Sequence, residues 1–273
     1  MQIGIFAKTF SGTSVEAILM AVREAGYAVS QFNLSCAGLA SMPDAVSEKV
    51  LRKIRAATKA SGVSLVALSG TYNMIHPDEA VRARGLRQLG VVIAAASHLG
   101  IPLVTLCTGT RDAEDQWRHH QNNADPSAWH DLVTEMAKAL ALAERFGVDL
   151  GIEPEPSNVV TSALDARRLI DDMASPRLRV VLDPANLFET ATAEAAAALV
   201  RDAVERLGAR IAMAHAKDRA AIGRLVPVGH GIVDFADFVA RLRGVGFDGP
   251  LVAHGLSAEE APAVARYLRA VTT

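Results

Sequence analysis

The chain has 273 residues, of which 50% are hydrophobic and 21% charged, with a formal net charge of -2. That length and apolar content allow one large α/β barrel, and the slightly acidic balance argues against a nucleic-acid groove, which carries a basic field. Two distant cysteines, Cys36 and Cys107, make no disulfide framework and suit a reducing cytoplasm, and no run approaches the ~18 apolar residues of a membrane helix.

In chain order, strands are predicted near 2–7, 29–34, 63–69, 102–107, 148–153, 178–183, 210–215 and 250–254. The first of them, from Gln2, lacks the basic start and long apolar stretch of a signal peptide. Helices are predicted near 14–25, 43–61, 78–99, 126–146, 162–174, 191–207, 234–243 and 257–271. Glycines mark the joints from helix to strand at Gly26, Gly62, Gly100, Gly147 and Gly208, because glycine takes the left-handed cap conformation at little cost. Thr13 with Glu16 and Ser257 with Glu260 have capping-box spacing, and Pro43, Pro77 and Pro126 suit first-turn positions. Eight βα units with no change of composition between them predict a single domain over residues 1–273, a closed (β/α)₈ barrel. No G-x-G-x-x-G follows the first strand, which disfavours a dinucleotide fold. The longest non-periodic stretch, Thr108 to Asp125, carries Trp117, His119 and His120 and reads as a mobile cover.

Four predicted strands end in a side chain able to ligate metal: Glu153, Asp183, His215 and His254. In a parallel barrel such residues converge at the C-terminal rim, and carboxylates with imidazoles select Mn, Zn, Co or Fe over calcium. Taken one at a time these residues have plainer readings. Glu153 could be a salt-bridged rim carboxylate, Asp183 before Pro184 an ordinary turn starter, His215 a packed histidine, and His254 a partner for substrate alone. Lys217 lies two residues after His215 and could point the same way, and Asp218 could orient either of them. Further polar candidates for a polyol or sugar are Asn73, His76, Thr108, Arg111, Glu155 and Asn186, with His230 between two glycines as an anion contact.

The segments Ala67–Asn73, Thr108–Asp112, Gly151–Glu155, Leu182–Asn186, His215–Asp218 and Val228–Gly231, in this order, resemble the sugar phosphate isomerase/epimerase family, the xylose-isomerase-like TIM barrels. The resemblance covers nearly the whole chain. It implies one divalent metal held by Glu, Asp, His and Glu at the ends of strands five to eight. Glu153, Asp183 and His215 match the first three places. His254 stands where the family's second Glu is expected, which removes one ligand charge and the second carboxylate of a two-carboxylate proton exchange. Asn186 stands where several epimerases carry His. Endonuclease IV-like relatives use a three-metal cluster with more histidines, which Asn186 and the acidic charge disfavour.

These readings predict a cytoplasmic, divalent-metal-dependent isomerase or epimerase of a small sugar, sugar phosphate or hydroxy-carbonyl compound. It would have no nucleic-acid or membrane partner, and its oligomeric state is left open. Glu153 is the expected ligand and base, with His254 or Lys217 as the partner that returns or steers the proton. The alternatives are a non-catalytic sugar-binding paralogue and a metal-dependent hydrolase or dehydratase on the same scaffold.

Overall fold

In the computed structural model, which describes residues 1–273, the chain begins with β1 (Gln2–Phe6) and α1 (Val15–Glu24). Next come β2 (Val29–Phe32), α2 (Glu48–Ser61), β3 (Ser64–Ser69), α3 (Glu79–Leu99), β4 (Leu103–Leu106) and α4 (Pro126–Phe146). β5 (Asp149–Ile152), α5 (Ala163–Met173), β6 (Leu178–Leu182), α6 (Ala193–Leu207) and β7 (Ile211–Ala216) follow. A small antiparallel pair, β8 (Asp218–Arg219) with β9 (Leu225–Val226), interrupts the alternation. α7 (Phe235–Gly244), β10 (Pro250–Ala253) and α8 (Ala261–Thr272) complete the chain. β10 pairs in parallel with β1 and closes the sheet in the order β1-β10-β7-β6-β5-β4-β3-β2. This is the (β/α)₈ barrel that the alternation predicts.

Four of the five predicted joint glycines, Gly26, Gly62, Gly100 and Gly147, have positive φ. Gly208 differs: its φ is 0° and it opens a 3-10 turn, because the chain tightens there before β7. The caps shift slightly from the sequence reading. Ser14, not Thr13, caps α1, accepting from Ala17 N at 3.2 Å. Ser257 and Glu260 form the predicted reciprocal box, at 2.8 and 3.3 Å. Pro126 occupies the first turn of α4, whereas Pro43 and Pro77 lie ahead of their helices. α2 starts at Glu48 because Ser47 supplies its cap.

Period-two alternation sends each strand's residues to two surfaces. One set, including Ile5, Leu68, Leu106, Ile152, Leu182 and Ala214, joins the large core against the helices. The other forms a small cluster of Ala67, Leu103, Val181, Met213 and Val252, which fills the barrel interior. Gly151 belongs to that inner layer: a Cβ there would meet Val181 Cγ2 at 2.9 Å and Leu103 Cδ1 at 3.1 Å. The space beneath Glu153 is therefore packed with apolar side chains. The polar residues stand one step further along each strand, above this apolar floor.

Candidate metal and substrate site

Glu153 and Asp183 directly follow β5 and β6, and His215 lies near the end of β7, on neighbouring strands of the barrel. Their ligand atoms all lie within 4.8 Å of one another. His215 Nδ1 is 3.3 Å from Glu153 Oε1 and 3.7 Å from Asp183 Oδ2. Asp183 is fully buried, and Pro184 turns the chain immediately, so that Asp183 Oδ1 accepts from Ala185 N at 2.9 Å. Its second oxygen, Oδ2, is buried and accepts no hydrogen bond. A buried, unsatisfied carboxylate oxygen is costly unless a cation neutralises it. Two carboxylate oxygens and one imidazole nitrogen facing one point suit a first-row divalent metal. This buried group could therefore hold such an ion.

One cation is built in. Lys217 Nζ lies 3.4 Å from Asp183 Oδ2 and donates to Asn186 Oδ1 at 2.6 Å. Asn186 Nδ2 in turn donates to Glu153 Oε1 at 2.7 Å, so one amide couples the lysine to the carboxylate. Burial pulls the Lys217 pKa down, but Asp183, Glu153 and Glu155 outweigh it and raise it. Burial would raise the Asp183 pKa, yet Lys217 and His215 hold it well below the usual carboxylate range. Burial likewise lowers His215, and Glu153 and Asp183 reverse this and push it up to about 9. Glu155 goes the other way, with burial and then the charge of Glu153 pushing it up to about 8.

His254 lies just beyond β10 but outside the three-residue donor group. Its ring packs between Phe6, at 5.5 Å between centroids, and His215, at 5.1 Å edge-on. Burial, and then the charge of His215, lower its pKa to about 4, so the ring is neutral. Its Nδ1 is buried without a partner.

A cavity of about 120 Å³ reaches two of these groups, Glu153 and Glu155, and is lined also by Phe6, Lys8, Gln31 and Trp117 among others. A larger concavity of about 330 Å³ beside Thr13, Cys36 and Lys53 lies away from this cluster of ligand atoms. Gln31, Lys8 and Thr105 at the mouth belong to no motif in the sequence reading, and Ser69 enters it only within the segment Ala67–Asn73. The available signal for three of them was a polar side chain inside an apolar strand: Gln31 in β2, Ser69 at the end of β3 and Thr105 in β4.

The remaining predicted residues sit in the surrounding loops. Asn73 Oδ1 accepts from Thr110 N at 3.0 Å and its Nδ2 donates to Asp112 O at 3.2 Å. His76 Nε2 is 3.1 Å from Ala113 O. Thr108 Oγ1 accepts from Val160 N at 3.1 Å, and Arg111 pairs with Asp131 at 2.8 Å. Asp218 accepts from the backbone amides of Arg219, Gly229, Gly231 and Val233 and ties the loop after β9 to β8. His230 is exposed. In the long segment, Trp117 reaches the cavity, His119 is exposed, and His120 accepts from Asn122 N at 3.2 Å. Buried Asn123 holds this segment, accepting from Arg111 N at 2.7 Å and donating to Ser157 O at 3.0 Å.

A closed parallel barrel with a Glu-Asp-His trio at its C-terminal rim defines the class. Residues 12–271 match the model of the xylose isomerase-like TIM barrel family, and the chain belongs to that family. Similar solved structures include 3-keto-D-glucoside 4-epimerase from E. coli, with 17% identity, 99% of each chain covered and a TM-score of 0.78. A D-tagatose 3-epimerase-like protein has 16% identity over 99% of this chain and 97% of its own, with a TM-score of 0.79. An L-ribulose 3-epimerase has 22% identity over 98% and 92%, with a TM-score of 0.74. No curated protein matches the chain in sequence. No helix is long and apolar enough to cross a membrane.

Proposed function

We propose that the protein is a divalent-metal-dependent isomerase or epimerase of a small sugar or a related hydroxy-carbonyl compound. The observation that carries this reading is the trio Glu153, Asp183 and His215, its ligand atoms within 4.8 Å of one another, with Glu153 lining a polar cavity. Asp183 Oδ2, buried without a hydrogen-bond donor, supports a cation there. The names of the similar structures, epimerases of keto-glucoside, tagatose-like and ribulose substrates, support the sugar class.

Glu153, Asp183 and His215 would hold the ion. When bound, a divalent cation supplies positive charge against the oxyanion that develops when a carbon beside a carbonyl loses its proton. Glu153 Oε1 is engaged by Asn186, which leaves Oε2 as the atom that takes a substrate proton. His254, a neutral imidazole packed against His215, is the second ring at the site and would be the group that meets the opposite face of the substrate. Lys217, held by Asn186 and Asp183, contributes a fixed ammonium that binds a substrate oxygen. Trp117 and Phe6, with Leu106 and Cys107, form the apolar part of the cavity wall.

The absence of a second glutamate from the donor group, with His254 in the expected place, favours one other reading, sugar binding without turnover. The two separate in one experiment. Purified protein is loaded with Mn²⁺ and incubated in D₂O with ketohexoses, ketopentoses and their phosphates, and the sugars are read by NMR and mass spectrometry. The isomerase reading predicts deuterium at the carbon beside the carbonyl and a new epimer or isomer. Sugar-induced thermal stabilisation with no deuterium uptake supports binding alone.

A further inference from the structure

Gln31 comes from β2, across the barrel interior from β7, yet its side-chain carbonyl is 2.8 Å from His215 Nε2. Its amide nitrogen donates to Ser69 Oγ at 3.1 Å and to Thr105 Oγ1 at 3.3 Å. Gln31 is 4% exposed, so its three contacts satisfy an amide that is otherwise costly to bury. The β2–β3 register slips by one residue beside it, with Ser30 paired to Leu65 and Gln31 to Ala67, so that Val66 of β3 is the extra residue and Gln31 lies level with Ala67 of the inner layer. A single polar residue needed only for packing does not call for an imidazole partner and two hydroxyl anchors.

A carbonyl oxygen can only accept, so His215 Nε2 carries the proton and donates it to Gln31. Nδ1, the ring atom that faces Glu153 and Asp183, is then the nitrogen that would give up its proton and turn its lone pair to a cation, while Nε2–H stays on Gln31. We infer that Gln31 is a positioning residue for metal binding: with Ser69 and Thr105 it fixes the His215 ring and tautomer so that Nδ1 is the ligand atom. Outer partners of this kind are worth 10- to 100-fold in metal affinity. This rests on the metal reading proposed above.

The test uses the intact protein with Zn²⁺ as probe, together with Gln31→Leu and Gln31→Glu. Gln31→Glu keeps an acceptor opposite Nε2, while Gln31→Leu removes it at similar volume. Zinc affinity is measured by competition with a chromogenic chelator, and long-range ¹H–¹⁵N NMR of the zinc-loaded protein reports which His215 nitrogen is protonated. The expected results are Nε2–H with metal on Nδ1, an affinity loss of about tenfold or more in Gln31→Leu, and recovery in Gln31→Glu. Circular dichroism and thermal melts confirm that each variant is folded, and if Gln31→Leu does not fold, the NMR assignment in the parent decides alone. Metal on Nε2, or Gln31→Leu binding zinc as tightly as the parent, overturns the inference and leaves the metal site standing. A parent that binds no zinc removes the metal reading and this inference with it.

Discussion

The ammonium of Lys217 lies 3.4 Å from Asp183 Oδ2, the carboxylate oxygen that accepts no hydrogen bond. Both groups are well buried, with side-chain exposures of 12% and 0%. Lys217→Met removes the only lysine in contact with Asp183 and leaves that carboxylate short of charge. Breaking a buried pair on one side costs about 3 kcal/mol. The metal-free variant should therefore melt several degrees below the parent. A divalent ion restores the missing charge, so added Mn²⁺ should recover more stability in Lys217→Met than in the parent. Scanning calorimetry with and without Mn²⁺ checks both, and an unchanged melting temperature in the metal-free variant contradicts the electrostatic account.

His254→Glu places a carboxylate where the family resemblance expects one. The present ring is neutral and sits outside the donor group, packed on Phe6 and His215. An anionic ligand in its place should tighten Mn²⁺ binding on the order of tenfold, since a unit charge at ~4 Å is worth a few kcal/mol before desolvation is subtracted. The same change replaces a neutral imidazole beside the site by a carboxylate able to accept a proton, so the rate of deuterium exchange at neutral pH should change as well. Equal or weaker Mn²⁺ affinity in this variant would place residue 254 away from the ion.

The long segment after β4 should be sensitive to acid. Asp112 accepts from Glu114 N at 2.9 Å and Asp115 N at 2.8 Å, and faces Arg118 at 3.3 Å. Those amides, and then Arg118, hold the Asp112 carboxyl below its ordinary value. The order it confers is complete above the unfolded-state value of about pH 4 and is lost as the pH falls through the depressed folded value. Trp117, five residues along, reports this in a Trp129→Phe background, where it is the one remaining tryptophan. Fluorescence should be constant above pH 4 and change below it, and Asp112→Asn should show the acid-like signal already at neutral pH. A pH-independent signal in the parent, or a parent-like signal in Asp112→Asn, removes Asp112 as the anchor.

The sequence carried the architecture because its signals are local. Helix periodicity, joint glycines and apolar strands each depend on neighbours a few residues away, and Gly26, Gly62, Gly100 and Gly147 take up the conformation that this reading requires. Glu153, Asp183 and His215 were legible as a set because each stands at the end of one of three successive strands, β5, β6 and β7, at the same rim. Gln31 was not legible, since its partner is 184 residues away and β2 lies across the barrel from β7. Nor could motif order foretell the loop roles of Asn73, Thr108 and Asp218. Each is a polar residue beside a glycine-bearing turn, and only the folded loop shows that backbone amides, and not the cavity, absorb its hydrogen bonds. The small β8–β9 pair escaped for the same reason: Asp218 gathers four amides that the sequence spreads from Arg219 to Val233.

The central claim is that Glu153, Asp183 and His215 form one divalent-metal site. Calorimetric titration of metal-stripped protein with Mn²⁺ tests it most directly, alongside Glu153→Gln and Asp183→Asn, which change charge at nearly constant shape. The account predicts one Mn²⁺ per chain in the parent and loss of measurable binding in both variants, with the fold retained by circular dichroism. A parent that binds no Mn²⁺, or variants that bind it as the parent does, would contradict it.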